Sequence, residues 1–186
     1  PEGFFFVRLS LKGLNGGHSG DDINKKRANA IKILSRFVYQ EMQKTDVRIV
    51  SFNSGKLHNA IPRDGRVVMA FPEALKDEVR VDWNVFAPKV EDEYHVTDRQ
   101  MVFDMESVDA DKVVEKDTGK RLIQALQAIC MVYVAAAKMI PEDFLGFMSN
   151  KNLGKTLVEV GNFGVNRLIF GHEVIDDAGV EEWLGL

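Results

Sequence analysis

Apolar and polar residues alternate between Phe5 and Lys12, which predicts a strand with one buried face. The side chains expected on that face are Phe5, Val7, Leu9 and Leu11. A cluster of four glycines follows, and from Ile23 to Met42 the apolar residues recur at helical spacing. This pattern predicts an amphipathic helix with Asp21 or Asp22 as its N-cap.

Two further strands and a second helix are predicted downstream. The runs "VRIVSFNSG" and "RVVMAF" are typical of strands, and "KLHNAIPRDG" between them carries Pro62 and Gly65, which favour irregular backbone. A long helix is predicted from Pro72 to about Tyr94, with Pro88 as an unfavourable residue inside it. The segment "HVTDRQMVFDMES" is then predicted to form another strand.

A third helix is predicted with Thr118 as its cap, followed by "TLVEVGNFGV" and "NRLIF" as candidate strands. The order strand, helix, strand, strand, helix, strand is that of a ferredoxin-like fold. We therefore predict an α+β two-layer sandwich, in which an antiparallel sheet is covered on one face by two helices. The third helix and the last strands would be insertions or additions to this domain.

Length and charge narrow the class of protein. With 186 residues, 45% of them hydrophobic and 28% charged, the chain can form one sizeable core. Its net charge of -4 comes from acidic and basic residues mixed along the chain, which disfavours nucleic acid and anionic membranes as partners. The longest apolar run, "ALQAICMVYVAAAKMI", is shorter than the ~20 residues that span a bilayer, so it predicts a buried helix.

Cys130 is the single cysteine and lies in that apolar run, where a buried hydrophobe is expected rather than a nucleophile. One cysteine forms no internal disulfide, so we expect a reducing, cytoplasmic setting. The chain begins at Pro1, immediately before a strand-like run. We expect it to be a piece of a longer protein.

His18 is the first candidate for chemistry, because glycines surround it in "KGLNGGHSGDD". Glycines between a strand and a helix commonly serve only to turn the chain, since they adopt positive φ without a side-chain clash. They also let another molecule approach the backbone, and the unpaired N–H groups of a helix N-terminus attract anions. His18 is therefore either an incidental turn residue or part of an anion-binding site.

Asn59, in "HNAIPRDG", is the second candidate. In one interpretation its amide bonds to local backbone in a loop that Ile61 anchors to the core. In the other interpretation the amide binds a carboxylate or a peptide group, while Pro62 limits the motion of the loop. Two polar side chains on separate loops would then form half of a binding site.

Common catalytic motifs are absent from the sequence. Zinc needs about three or four converging ligands, but the four histidines are scattered and show neither H-x-D nor H-E-x-x-H spacing. No G-x-S-x-G, Rossmann or P-loop pattern is present. We therefore predict no metal site in this chain and interpret His95 and His172 as structural residues.

Together, the two glycine- and asparagine-containing segments resemble the lid, or dimerisation, domain of the M20 family of di-zinc exopeptidases. "GLNGGHSGDDINKKRANAIKILSRF" and "FNSGKLHNAIPRDG" are similar to the aminoacyl-histidine dipeptidases (Xaa-His dipeptidase, peptidase D) of that family. "RVDWNVFAPKVEDEYHVTD" is similar to its bacterial members. The resemblance covers Gly3 to about Ser107, and the pairing of "GGHSG" with "NAIP" is its most specific part.

The resemblance implies that residues 1–186 are a lid or dimerisation domain of a larger cytoplasmic dipeptidase that hydrolyses Xaa-His dipeptides. A separate catalytic domain would bind two zinc ions, and this chain would bind none. His18 would reach an active site, commonly that of the partner subunit in a homodimer, and stabilise the oxyanion of the tetrahedral intermediate. Asn59 would hold the terminal carboxylate of the dipeptide. The chain alone is expected to be inactive.

The last third of the chain departs from the family pattern. "LVEVGNFGV" is only faintly similar to a family segment containing Val-Glu-Thr-Ser, and Arg167 is not assigned as the arginine that contacts the substrate carboxylate in the family. Two other functions stay open. One is a non-catalytic homodimerisation module in which His18 only belongs to a turn, and the other is a small-molecule-binding module of ferredoxin-like build.

Overall fold

The computed structural model describes residues 2–18, 21–22, 25–55 and 60–139. The strands are β1 (Phe4–Lys12), β2 (Gly17–His18), β3 (Arg48–Ser54), β4 (Ala60–Ile61), β5 (Gly65–Pro72) and β6 (Val102–Ser107). The helices are α1 (Ala30–Lys44), α2 (Lys76–Glu93), which a short 3₁₀ helix (Glu73–Leu75) precedes, and α3 (Lys116–Met139). The candidate strands "TLVEVGNFGV" and "NRLIF", Asn59 and the side chain of Cys130 lie outside the described residues.

Four strands form an antiparallel sheet in the order β3-β5-β1-β6. β1 lies inside this sheet, with Leu9 opposite both Val67 of β5 and Met105 of β6. Along the chain, these strands and the first two helices follow the order strand, helix, strand, strand, helix, strand. The predicted α+β fold with an antiparallel, ferredoxin-like sheet is therefore confirmed.

The alternation in β1 separates a core face from a polar face of the sheet. Val7, Leu9 and Leu11 are at most 1% exposed, whereas Phe5, near the start of the strand, is half-buried. Residues of the opposite parity, such as Arg8, lie on the other face. The three helices pack on the core face, since their buried residues belong to the same hydrophobic cluster as those of the strands.

α1 begins later than the sequence pattern predicts. Its first residue is Ala30, and the side-chain oxygen of Asn29 accepts the N–H groups two and three residues further on, at 2.9 and 3.3 Å. The prediction that Asp21 or Asp22 caps this helix is wrong. Asn and Asp cap helices about equally well, and the Asp22 carboxylate is already bonded to the backbone of His18.

α3, which the sequence predicts as an insertion or addition to the domain, contributes to the core. It packs against α1 and β3, and its Ile123 and Leu126 are buried in the common core. The helix begins at Lys116, ahead of the predicted cap Thr118, because the Glu115 carboxylate accepts two N–H groups of the first turn at 3.0 and 2.8 Å. These bonds hold the pKa of Glu115 below its ordinary value. The two predicted helices and α3 therefore cover the sheet together.

α2 continues through Pro88, as predicted, and packs on α1 through aromatic side chains. The ring of Phe37 lies 4.9 Å from that of Trp83 and 5.2 Å from that of Phe86, measured between centroids. Trp83 also contacts Phe103 of β6 at 5.6 Å. No helix among the described residues is long and apolar enough to cross a membrane.

The segment predicted as a strand between His95 and Ser107 divides into two parts. Residues 94–101, here called the α2–β6 turn, leave the end of α2 without joining the sheet. Only Val102–Ser107 pairs with β1. The turn buries the side chain of Asp98, which is 2% exposed.

Candidate active-site loop around His18

The loop of residues 13–29, here called the His18 loop, connects β1 to α1. In its middle, β2 pairs antiparallel with β4, so that His18 lies opposite Ala60 and Gly17 opposite Ile61. This pairing brings together the two segments that the sequence singled out, which are about 40 positions apart. Asn59 immediately precedes Ala60 in the chain, but it lies outside the described residues and its predicted role stays a prediction.

His18 is held by its own chain and presents its ring to solvent. The His18 N–H donates to Oδ2 of Asp22 at 2.8 Å, and the Asp22 N–H donates back to the His18 carbonyl at 2.9 Å. The imidazole is 44% exposed, and its Nδ1 accepts the N–H of Asp21 at 3.3 Å. An imidazole that accepts a hydrogen bond at Nδ1 carries its proton on Nε2.

The carboxylate of Asp22 lies near two cationic side chains of the loop. It lies 2.5 Å from Nζ of Lys25 and 3.7 Å from Nη1 of Arg27. The hydrogen bond from Lys25, followed by that from the His18 backbone, lowers the pKa of Asp22. Arg27 also donates to the carbonyl of Gly16 at 2.6 Å, which links the two sides of the loop.

Glycine is required at Gly17 by the packing of this chain. Its φ of +142° is unfavourable for other residues, and an added Cβ would lie 2.6 Å from Cβ of Asp22 and 2.7 Å from Nη1 of Arg27. The sequence suggested that glycines leave room for a substrate beside His18. At Gly17 that space is instead filled by the side chains that hold the loop.

Two residues distant in sequence anchor the base of the loop. Asp98 accepts the N–H groups of Asn15 (2.8 Å) and Ala28 (2.9 Å), one with each carboxylate oxygen. The backbone of Leu14 pairs with Arg63, whose carbonyl accepts the Leu14 N–H at 3.2 Å and whose Nε donates to the Leu14 carbonyl at 3.3 Å. Neither residue was predicted from the sequence to contribute to the site. Asp98 lies at the end of the segment "RVDWNVFAPKVEDEYHVTD", which resembles bacterial members of the family.

The described residues do not fit a zinc site. Within residues 2–18, 21–22, 25–55 and 60–139, no group of three or more His, Cys, Asp or Glu side chains is arranged to hold a metal ion. His95 is exposed in the α2–β6 turn, where its Nδ1 lies 2.6 Å from the Asp92 carbonyl oxygen. Among the described residues, the His18 loop offers an exposed imidazole as a hydrogen-bonding group.

Comparison with known proteins gives results for both sequence and fold. Residues 9–97 match the family described as the peptidase dimerisation domain of M20 proteins. The chain is 34% identical over 129 residues to the cytosol non-specific dipeptidase of Escherichia coli (strain K12), a match that covers 67% of this chain and 27% of that protein. The structure is similar to that of the aminoacylhistidine dipeptidase from Vibrio alginolyticus, with a TM-score of 0.66 and 37% identity over 69% of this chain and 26% of that one. The chain thus spans about a quarter of the length of these relatives.

Proposed function

Because residues 9–97 are a peptidase dimerisation domain of the M20 family, we propose that this chain is the lid domain of a longer cytoplasmic dipeptidase that hydrolyses Xaa-His dipeptides. Support for a dipeptidase comes from the similarity to the two enzymes named above. Support for Xaa-His specificity comes from the resemblance of the His18 and Asn59 segments to the aminoacyl-histidine dipeptidases.

In this proposal His18 is the residue of the lid that acts in catalysis. A lid that closes over a substrate would bring the exposed ring to the oxyanion of the tetrahedral intermediate, in the active site of the partner subunit. A preorganised donor at such a position typically contributes about 2.7–4 kcal/mol to lowering the barrier. The observation that carries the proposal is that the backbone of His18 is fixed at both its N–H and its carbonyl, while 44% of its side chain stays accessible.

Asn59 would bind the terminal carboxylate of the same dipeptide. Its neighbour Ala60 lies opposite His18 in the pairing of β2 with β4, which supports a role for both segments at one site. We assign the two zinc ions of the proposed enzyme to a catalytic domain other than the residues described here.

The homodimer is proposed to form along β6. This strand is at one edge of the sheet, and among the described residues the four exposed large hydrophobic side chains lie on α2, in the α2–β6 turn and on β6: Val81, Val85, Val96 and Val102. β3, at the other edge of the sheet, already has a hydrogen-bond partner outside the sheet, because the carbonyl of Ile49 accepts the N–H of Val114 at 2.7 Å. Within the part of the chain that the structure describes, no strand pairs with the outer side of β6, and an unpaired edge with exposed apolar residues favours pairing with another chain.

His18→Ala in the intact enzyme tests the catalytic proposal. We expect kcat to fall roughly 100-fold or more, as for the loss of an oxyanion donor, with no change in dimerisation measured by sedimentation. His95→Ala is the matched control, because that histidine is also exposed and bonds to backbone. An association module in which His18 only belongs to a turn would keep its kcat. This alternative is favoured if the variant has full activity.

The 186-residue chain alone is proposed to be inactive. A dipeptidase assay of this polypeptide with added zinc should give no turnover above the level without protein. Clear hydrolysis of Xaa-His dipeptides by the chain would contradict the assignment of the metal ions to another domain.

A further inference from the structure

Asp98 connects α2 to both ends of the His18 loop. Its own N–H donates to the carbonyl of Tyr94 at 2.8 Å, which fixes its backbone to the C-terminal end of α2. Its two carboxylate oxygens accept the N–H groups of Asn15 and Ala28 at 2.8 and 2.9 Å. Asn15 lies shortly before His18, and Ala28 lies shortly before the first residue of α1. One side chain therefore closes the loop at its base.

The burial of Asp98 makes its two hydrogen bonds important for the stability of this arrangement. Asp98 is 2% exposed, and a buried carboxylate is unfavourable unless hydrogen bonds replace its hydration. Bonds from N–H groups to a charged acceptor are among the stronger ones in proteins. The two donors come from positions 83 and 70 residues away in the sequence. Displacing either end of the loop would leave the buried charge with a single donor.

The rest of the α2–β6 turn also fits closely against the loop. The carbonyl of Thr97 accepts the side-chain amide of Asn15. Gly13 has a φ of +80°, and an added Cβ there would collide with the carbonyl of Gln100. The turn thus contacts the loop at several points on the side that leads to His18, with Asp98 as the only one of these contacts that holds both ends.

We propose that Asp98 is a positioning residue for His18, which it places by fixing the base of the His18 loop relative to α2. This inference rests on the proposed catalytic role of His18. Asp22 sets the local conformation at His18, and Asp98 sets where the two ends of the loop lie. Asp98 touches neither the substrate nor the ring of His18 in this assignment.

The test uses four variants of the intact enzyme: D98N, H18A, the double variant and D109N. D98N keeps the shape of the side chain but replaces one acceptor oxygen by an NH₂ group, which faces a backbone donor. We expect D98N to lower kcat roughly 10- to 100-fold, as misplaced groups do. In the H18A background, D98N should alter kcat less than about twofold. The reason is that Asp98 acts through His18, so that both substitutions remove the same contribution to catalysis. Asp109 is exposed, and D109N should leave kcat unchanged.

Hydrogen exchange provides a readout that does not depend on activity. The amides of Asn15 and Ala28 should exchange at least about 10-fold faster in D98N than in the parent enzyme, since their acceptor is weakened. Unchanged exchange at both amides would overturn the proposal. An equal loss of kcat in the presence and absence of His18 would also overturn it, because Asp98 would then act by another route. Full activity of H18A would refute the proposed function instead, and the exchange measurement would then decide the claim about the loop.

A milder variant covers the case in which D98N fails to fold. Asn15→Ala removes the bond to the Thr97 carbonyl and leaves the Asp98 carboxylate with both backbone donors. We expect a smaller loss of kcat, again only when His18 is present, with the melting temperature unchanged. A loss that persists in the H18A background would contradict the proposal.

Discussion

His18 and Asp22 are joined by two reciprocal hydrogen bonds: the His18 N–H donates to the Asp22 carboxylate at 2.8 Å, and the Asp22 N–H donates to the His18 carbonyl at 2.9 Å. This reciprocal pair makes Asp22 the residue that shapes the His18 loop rather than the start of α1. Both backbone polar groups of His18 are thus hydrogen-bonded, while its imidazole is exposed.

The pKa of Asp22 should depend on Lys25. The hydrogen bond from Lys25 is the largest cause of the depressed value, so Lys25→Ala should raise the pKa toward its ordinary 3.8. Because the folded-state pKa is lowered, this group stabilises the folded chain above pH 3.8, and the stabilisation is lost as the pH falls through the lower folded-state value. Carboxyl NMR titration measures the shift. Lys26→Ala changes the charge equally and should leave the pKa of Asp22 where it is.

The pKa of Glu41 is shifted in the opposite direction to that of Asp22, so its contribution to stability changes with pH in the opposite sense. Its side chain is 3% exposed, and burial raises its pKa despite the hydrogen bond from Lys44. A raised acid pKa favours folding below the ordinary value of 4.5, and this contribution is lost as the pH rises through the folded-state value. Glu41→Gln should therefore increase the free energy of unfolding, relative to the parent, more at pH 7 than at pH 4. Urea unfolding at both pH values measures this, and a difference that does not change with pH would contradict the expectation.

Two glycines should respond in opposite ways to alanine. Gly119 lies inside α3, where an added Cβ would meet Ile49 at an ordinary 3.5 Å. Gly119→Ala should stabilise the chain by about 0.5–1 kcal/mol, the usual gain in a helix interior.

Gly17→Ala would instead push Cβ against Asp22 and strain a φ of +142°. It should lower kcat of the intact enzyme roughly 10-fold or more by displacing His18. Full activity of Gly17→Ala would contradict the described loop.

The dimer proposed along β6 should be sensitive to charge at Val102, which is 49% exposed. Val102→Lys places a charge from each subunit near the shared edge and should weaken the dimer roughly 10-fold or more. Sedimentation velocity at several concentrations measures this change. Ser51→Lys introduces the same side chain at an exposed position of the other edge strand, β3, and should not alter the dimer. Equal weakening by both substitutions would argue against β6 as the interface.

The sequence predicted the elements whose periodicity is local. The alternation around Leu9 predicted β1, and the helical spacing after Ala30 predicted α1, because burial of one face imposes these periods on the chain. The start of α1 was wrong by several residues. Asp22 and Asn29 are equally suitable caps by residue type, and only the bond of Asp22 to the His18 backbone distinguishes them.

By itself, the sequence determined the α+β class, the presence of a glycine-rich histidine loop and the likeness to M20 dimerisation domains. The tertiary structure decided that the His18 segment pairs with β4, that α3 completes the core and that Asp98 closes the loop. The reason is physical. Periodic burial is encoded in neighbouring residues, whereas a carboxylate that binds backbone groups 70 and 83 positions away depends on which elements meet in the folded chain.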